Sequence, residues 1–340
     1  MRLWIDLANS PHVPFFRALV DRLTAPGSGR HEVEITARDF AETVPLTREA
    51  GLNAEVIGKH GGREVSGKAG NLVSRAWDLA KWARKRRFDL AVSHNSYSQI
   101  LAAHSLRIKT ITMMDYEHQP ANHLAFRFAS RIIVPASFPA SDLRRFGARV
   151  GKVRRYHGTK EDVYLSDFQP DPAFSARLCE LGVNPDNVLV LVRPPAVDAL
   201  YHRFQNTLFD DALARLLRNE NVRVVLLPRY ESQRNAYAGR ERLIVPPAPL
   251  PGADLIAASD LVISAGGTIN REAAALGVPV ASIYAGKWAA VDEALMKEGR
   301  LLRLSETTDL DKLVIEKKRA AQPRKSAGVI EEILGFILES

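Results

Sequence analysis

Strand-length apolar runs alternate with helix-length amphipathic segments along almost all 340 residues, and the alternation stops once and then starts again. A parallel sheet requires this rhythm, because each strand needs a crossover before the next can run in the same direction. In the first half, strands are expected over 3–7, 32–37, 54–57, 90–93, 110–114 and 131–134, with helices over 14–23, 41–50 and 72–86. The rhythm lapses from about 151 to 187. It resumes with strands over 188–192, 223–227, 243–245, 261–264 and 280–283, and helices over 206–218, 255–259, 270–276 and 289–298. A last helix is expected over 326–338. The pattern predicts an α/β chain of two Rossmann-like parallel-sheet domains facing across a cleft. Their expected bounds are 1–155 and 187–320. A linker is expected over 156–186, with a hinge near 156–160, and a helical tail over 321–340 is expected to pack back toward the first domain. The length agrees, since a chain of this size exceeds the usual single core.

Composition excludes several functions. Lys and Arg number 47 against 39 Asp and Glu, a formal net charge of +8 that favours an anionic partner. The basic residues are scattered and no nucleic-acid reader motif occurs, so nucleic acid is not expected. The single cysteine, Cys179, permits neither an internal disulfide nor a thiolate metal cluster. The histidines are dispersed without HExxH spacing, and the acidic pairs lack calcium-loop spacing, so no metal is expected. Neither half opens on Gly-x-Gly-x-x-Gly, which disfavours a dinucleotide dehydrogenase, and no Gly-x-Ser-x-Gly elbow supports a serine nucleophile. No cofactor is expected. No apolar run reaches membrane-spanning length, and the first residues read directly as a strand, so a cytoplasmic location is expected. Trp82 stands with Arg75, Asp78, Lys85 and Arg86 on the expected outward side of the helix over 72–86, which reads first as an ordinary surface helix with Trp82 under a neighbouring loop and leaves contact with the inner membrane face open.

Ligands of open parallel sheets bind beyond the carboxyl ends of the strands, so the residues that follow each apolar run carry the chemistry. After the run over 261–264 comes Ala265-Gly266-Gly267-Thr268-Ile269-Asn270-Arg271-Glu272. Glycines at a strand-to-helix turn let a phosphate approach the backbone, and a helix expected to open at about Thr268 offers free amides and a favourable dipole. Glu272, in the first turn or so, could accept from ribose hydroxyls. Arg193 and Arg229 follow two other strands of the second half and suit phosphate oxygens. In the first half, Asn9, Ser10 and His12 follow the first run, and His94 and Asn95 follow the fourth. His12 falls at a helix start, where the dipole favours the neutral imidazole needed in a general base. Asp115, Glu117 and His118 follow the fifth run. They could act as acid and base or bind sugar hydroxyls, or they could form a solvated loop. Lys59 and His60 belong to a basic, glycine-rich loop that could fold over an acceptor. Asp6, at the end of a buried strand, reads as a structural hydrogen-bond partner.

Two apolar α/β halves, the glycine turn and the following Glu resemble the GT-B superfamily, with MurG-type N-acetylglucosaminyltransferases and non-hydrolysing UDP-N-acetylglucosamine 2-epimerases as functional parallels. The stretch Trp4-Ile5-Asp6-Leu7-Ala8-Asn9-Ser10-Pro11-His12-Val13-Pro14, with Thr36-Ala37-Arg38-Asp39 and Ile57-Gly58-Lys59-His60-Gly61-Gly62, resembles the family named domain of unknown function 354. The superfamily resemblance implies donor phosphates at Gly266, Gly267 and Thr268, ribose at Glu272, and a loop histidine at the position of His12. Here Asn9-Ser10-Pro11-His12 replaces the glycine-rich first loop of the transferases, and the Gly-Thr-Arg-Pro-Glu-like loop of the epimerases is absent. The expectation is a metal-independent, inverting glycosyltransferase that uses a nucleotide-diphosphate sugar and an acceptor not yet defined. The alternatives are a nucleotide-sugar 2-epimerase and a non-catalytic binder of a nucleotide sugar or of a partner.

Overall fold

The computed structural model describes residues 1–29, 31–59, 65–195, 207–324, 326 and 328–339. The chain forms two compact units, one of residues 1–164, 289–291 and 326–340, the other of residues 165–288 and 292–325. Unit 1 holds strands β1 (Arg2–Leu7), β2 (Glu32–Asp39), β3 (Ala54–Lys59), β4 (Leu90–His94), β5 (Lys109–Met113), β6 (Arg131–Pro135) and β7 (Val153–Tyr156). They form one sheet in the order β3-β2-β1-β4-β5-β6-β7, with every pairing parallel. Unit 2 holds β8 (Val188–Arg193), β9 (Val222–Leu226), β10 (Leu243–Ile244), β11 (Leu261–Ser264), β12 (Val280–Ser282) and β13 (Leu302–Arg303). Its sheet runs β10-β9-β8-β11-β12-β13, also all parallel. Each order reverses once, at β1/β4 and at β8/β11. Such a reversal opens a crevice beyond the carboxyl ends, because the crossovers on its two sides leave to opposite faces.

Strand β1 shows how the sequence builds the layers. Leu3, Ile5 and Leu7 enter one apolar cluster and Trp4 another, as the two-residue period of a strand buried on both faces demands. The first cluster takes Val13, Phe16 and Leu19 from the helix His12–Thr24. It also takes Val329, Ile330, Ile333 and Ile337 from the last helix, Val329–Leu338, whose apolar positions recur at helical spacing. In unit 2, Val188, Val190 and Val192 join helix residues Phe209, Leu213 and Leu216 in the same way.

Three features differ from the sequence reading. Strands β7 and β13 were not expected. Each lies at a sheet edge and is too short, or too rich in arginine, to show a run. The segment 156–186 is divided rather than free-standing. Tyr156 pairs in β7 and Thr159, Lys160, Glu161 and Asp162 are buried in unit 1, whereas Phe174, Leu178 and Val183 are buried in unit 2. The helix expected over 72–86 spans Val65–Ala83, and of the residues expected outward Asp78 and Lys85 are exposed whereas Arg75 and Trp82 turn inward. Arg75 is buried, and Trp82 packs against Trp4 and Phe88 with ring centroids 5.7 and 5.6 Å apart. The exposed tryptophan is Trp77, at 74%. Among the described residues no helix is long and apolar enough to cross a membrane.

Candidate active site

In unit 1 the strand reversal places the loop after β1 beside the end of β4. Asn9 shapes the first of these. Its carbonyl accepts from the His12 amide at 3.0 Å and its Oδ1 from the Ser10 amide at 2.9 Å. Ser10 Oγ accepts from the Glu42 amide at 3.1 Å, tying this loop to the one after β2. Asn9 and Ser10 are thus engaged in the turn that presents His12, the first residue of a 13-residue helix. The His12 ring lies 4.8 Å from that of His94, the last residue of β4. Asn95 follows in the left-handed region at φ 63° and turns the chain into the next helix. His94 Nε2 is 3.8 Å from Asp115 Oδ1, just beyond β5, and Lys160 Nζ is 3.3 Å from Asp115 Oδ2 and 3.4 Å from Glu161 Oε1.

All five of these side chains are buried. His12 Nδ1 is closed off from solvent and has no hydrogen-bond partner among the described residues. Burial lowers the His12 pKa well below its ordinary 6.5; His94 and Lys160 add to this and Asp115 opposes it. Burial thus favours the neutral imidazole, the form that keeps a lone pair on one ring nitrogen.

The expected trio Asp115, Glu117 and His118 does not act as one cluster. Asp115 joins His12, His94 and Lys160. Glu117 Oε1 instead accepts from the Ala290 amide at 2.7 Å, with His118 Nε2 3.8 Å away. Its Oε2 is buried without a hydrogen-bond partner among the described residues, and burial raises the carboxyl pKa from its ordinary 4.5. Glu117 thus holds the Ala290 amide through one oxygen and keeps the other buried beside it. Lys160 and Glu161 were missed. They follow β7 as part of the polar run Thr159-Lys160-Glu161-Asp162, and reading that stretch as linker hid a seventh strand end. His60 lies outside the described residues, as does the side chain of Lys59, the last residue of β3.

In unit 2 the reversal sets Arg193, at the end of β8, beside the turn after β11, in register with Ser264. Gly266 caps the helix Gly267–Leu276, and its amide donates to Ser264 Oγ at 2.9 Å. A Cβ on Gly266 would come within 2.8 Å of Arg229 Nη2, so the absence of a side chain is what lets the guanidinium lie on this turn. Arg229 is aimed by its Nε, which donates to the Pro194 carbonyl at 2.9 Å, and by its amide, which donates to Gln233 Oε1 at 2.8 Å. Gly267 is exposed and Thr268 half-buried, and the amides of a first helical turn have no intrahelical acceptor. Glu272 is half-buried and is the sixth residue of the helix, in its second turn, because the helix opens at Gly267, one residue earlier than expected. The next charged residue inward, Arg271, is committed to Asp292 at 2.6 and 3.0 Å.

Residues 1–339 match the family described as Protein of unknown function (DUF354). The chain belongs to that family. It is also 28% identical over 312 residues to Uncharacterized protein MJ0665 of Methanocaldococcus jannaschii, covering 91% of this chain and 89% of that protein. Its structure is similar to a UDP-GlcNAc 2-epimerase from Neisseria meningitidis bound to UDP-GlcNAc, with a TM-score of 0.76, 14% identity and full coverage of both chains. It is likewise similar to the Methanocaldococcus jannaschii UDP-GlcNAc 2-epimerase in complex with UDP-GlcNAc and UDP, at 0.77, 14% and full coverage of both. The spinosyn rhamnosyltransferase SpnG matches at 0.60 and 16%, over 99% of this chain and 91% of that one. At such identities the likeness concerns the fold. This DUF354 chain has the two parallel-sheet α/β units of GT-B proteins.

Proposed function

We propose that this DUF354 protein acts on a nucleotide-diphosphate sugar as a metal-independent, inverting glycosyltransferase. The observation that carries the reading is the neutral, buried His12 beside His94 and Asp115 at the strand reversal of unit 1. The amides of Gly267 and Thr268 bind the diphosphate, with Arg229 and Arg193 countering the charge that grows as it leaves. Glu272 accepts from ribose hydroxyls. The acceptor hydroxyl oxygen forms a bond to the anomeric carbon as the bond from that carbon to the diphosphate breaks, and the hydroxyl proton passes to His12. Asp115 supports the imidazolium that results. The fold neighbours bound to UDP-GlcNAc and UDP support the ligand class.

A second reading, a nucleotide-sugar epimerase, draws on a specific feature: the buried group of Asp115, Glu161 and Lys160 holds both proton acceptors and a proton donor. Incubation with UDP-sugars and no acceptor, followed by NMR of the sugar, separates the two, because only an epimerase changes the sugar configuration under those conditions. Calorimetry against UDP, GDP and CDP sugars tests the premise of both. Absence of binding to any of them rejects both and leaves a non-catalytic partner protein.

A further inference from the structure

Strand β2 ends at the carboxyl edge of the unit 1 sheet with Arg38 and Asp39. Its pairing with β3 shifts register here, between Ala37/Val56 and Asp39/Lys59, so β3 carries an extra residue, and Gly58 in that bulge has φ +84°. The bulge makes room for Arg75. A Cβ on Gly58 would stand 2.8 Å from Arg75 Cγ and Cδ, and Arg75 Nε donates to the Ile57 carbonyl at 2.8 Å. Arg75 then delivers Nη1 and Nη2 to Asp6, 2.9 and 2.8 Å from its two oxygens. The carboxylate of Asp6 is thereby committed to Arg75.

Arg38 is left over. Its guanidinium is half-buried, lies 5.4 Å from the Phe40 ring centroid, and forms no ion pair with any described residue. Its Nε is closed off from solvent with no acceptor among the described residues. Asp39, the next residue, alternates to the other face of the strand. Arg38 thus neighbours a second guanidinium that already holds the buried carboxylate; burial and the Arg75 charge depress the pKa of Arg38, and Asp6 only partly opposes them. A positive charge left half-desolvated in this way costs stability unless an anion meets it.

We propose that Arg38 anchors an oxyanion site in unit 1, where a phosphate or carboxylate of a bound small molecule accepts from its Nε and a terminal nitrogen. The guanidinium fork suits either group. The site concerns what neutralises Arg38 and holds whatever reaction unit 1 supports.

The test uses the full chain, labelled with 15N in arginine and titrated with inorganic phosphate, and in a second arm with acetate. The Arg38 Nε–H resonance, assigned by its loss in Arg38→Gln, is expected to shift saturably. A response to phosphate alone assigns a phosphate ligand, and a response to acetate extends the site to carboxylates. Thermal stabilisation by phosphate should weaken in Arg38→Gln, with an apparent Kd raised about tenfold, as for loss of one charge-assisted pair. Without anion, the same variant should melt no lower than the parent. An Arg38 resonance that neither anion moves would overturn the proposal. So would a fall in anion-free melting as large as that of Arg75→Gln, which would make Arg38 structural. Arg38→Lys keeps the charge without the fork and is the control if the glutamine variant fails to fold: a weakened phosphate response sustains the site, and an unchanged one overturns the role of the fork.

Discussion

Asp6 and Asp115 are both buried aspartates at the carboxyl edge of the same sheet, and the protein treats them oppositely. Asp6 Oδ1 accepts from Arg75 at 2.8 Å and from Thr36 Oγ1 at 2.6 Å; Oδ2 accepts from Arg75 at 2.9 Å and from Ser96 Oγ in a short bond. Its acceptor positions are filled by donors from three elements, so it ties together β1, β2 and the helix Val65–Ala83. Asp115 stands at 3.3 Å from Lys160 and 3.8 Å from His94. Around it His12, His94, Lys160 and Glu161 offer several arrangements of protons. A carboxylate filled by fixed donors builds architecture, and one set among titratable neighbours is where protons can move.

Substitutions can break this contrast or sharpen it. The largest effect is expected at His12. Replacement by Ala should reduce turnover about 10²- to 10⁴-fold, the usual contribution of a positioned base, while nucleotide affinity measured by calorimetry stays nearly constant. Unchanged turnover removes the imidazole from the chemistry. Next is Arg75→Ala, which strands Asp6 without its cation and should cost about 3–5 kcal/mol in chemical denaturation. If Lys160→Ala proves equally destabilising, the distinction between the two aspartates fails. Gly266→Ala should weaken nucleotide binding about tenfold, because a Cβ 2.8 Å from Arg229 Nη2 must push the guanidinium off the turn. Affinity equal to the parent's would place the diphosphate elsewhere.

The smallest effects are electrostatic and carry a sign. Lys160→Met should raise the His12 pKa and Asp115→Asn should lower it, since the ammonium disfavours the imidazolium and the carboxylate favours it. Histidine ring NMR reads both, and shifts in the same direction would refute the arrangement. The depressed His12 pKa also links to stability. Below about pH 6.5 the unfolded chain binds a proton that the folded chain refuses, so this group destabilises the protein as pH falls toward its folded pKa. Glu117, raised by burial, acts in the opposite sense at lower pH. The readout is therefore the difference between parent and His12→Phe, whose stability should fall less steeply below about pH 6.5.

Much of this was legible from the residues. Asp6 reads as structural from its place at the end of a buried strand, and His12 as a candidate base from its place at a helix start; the structure fills the first and buries the second beside His94. The glycine turn announces itself because small residues at a strand-to-helix junction have a local reason to be there. Lys160 and Glu161 were illegible for a different reason. They follow a strand of four residues, Val-Arg-Arg-Tyr, whose pairing with β6 supplies the order that its own composition does not. The helix Val65–Ala83 taught a similar lesson. Helical spacing identified its apolar stripe but could not anticipate that Arg75 would find a buried carboxylate 69 residues away.

Periodicity alone determined that this chain makes two parallel sheets, because burial on both faces and the need for crossovers impose a rhythm any sequence of this class must carry. Tertiary structure decided which charged groups meet. It filled Asp6, set Asp115 among histidines, gave one oxygen of Glu117 to a backbone amide, and left Arg38 without an ion pair among the described residues. Those outcomes depend on strand order and register, which bring together residues too far apart in the chain for any local pattern to record.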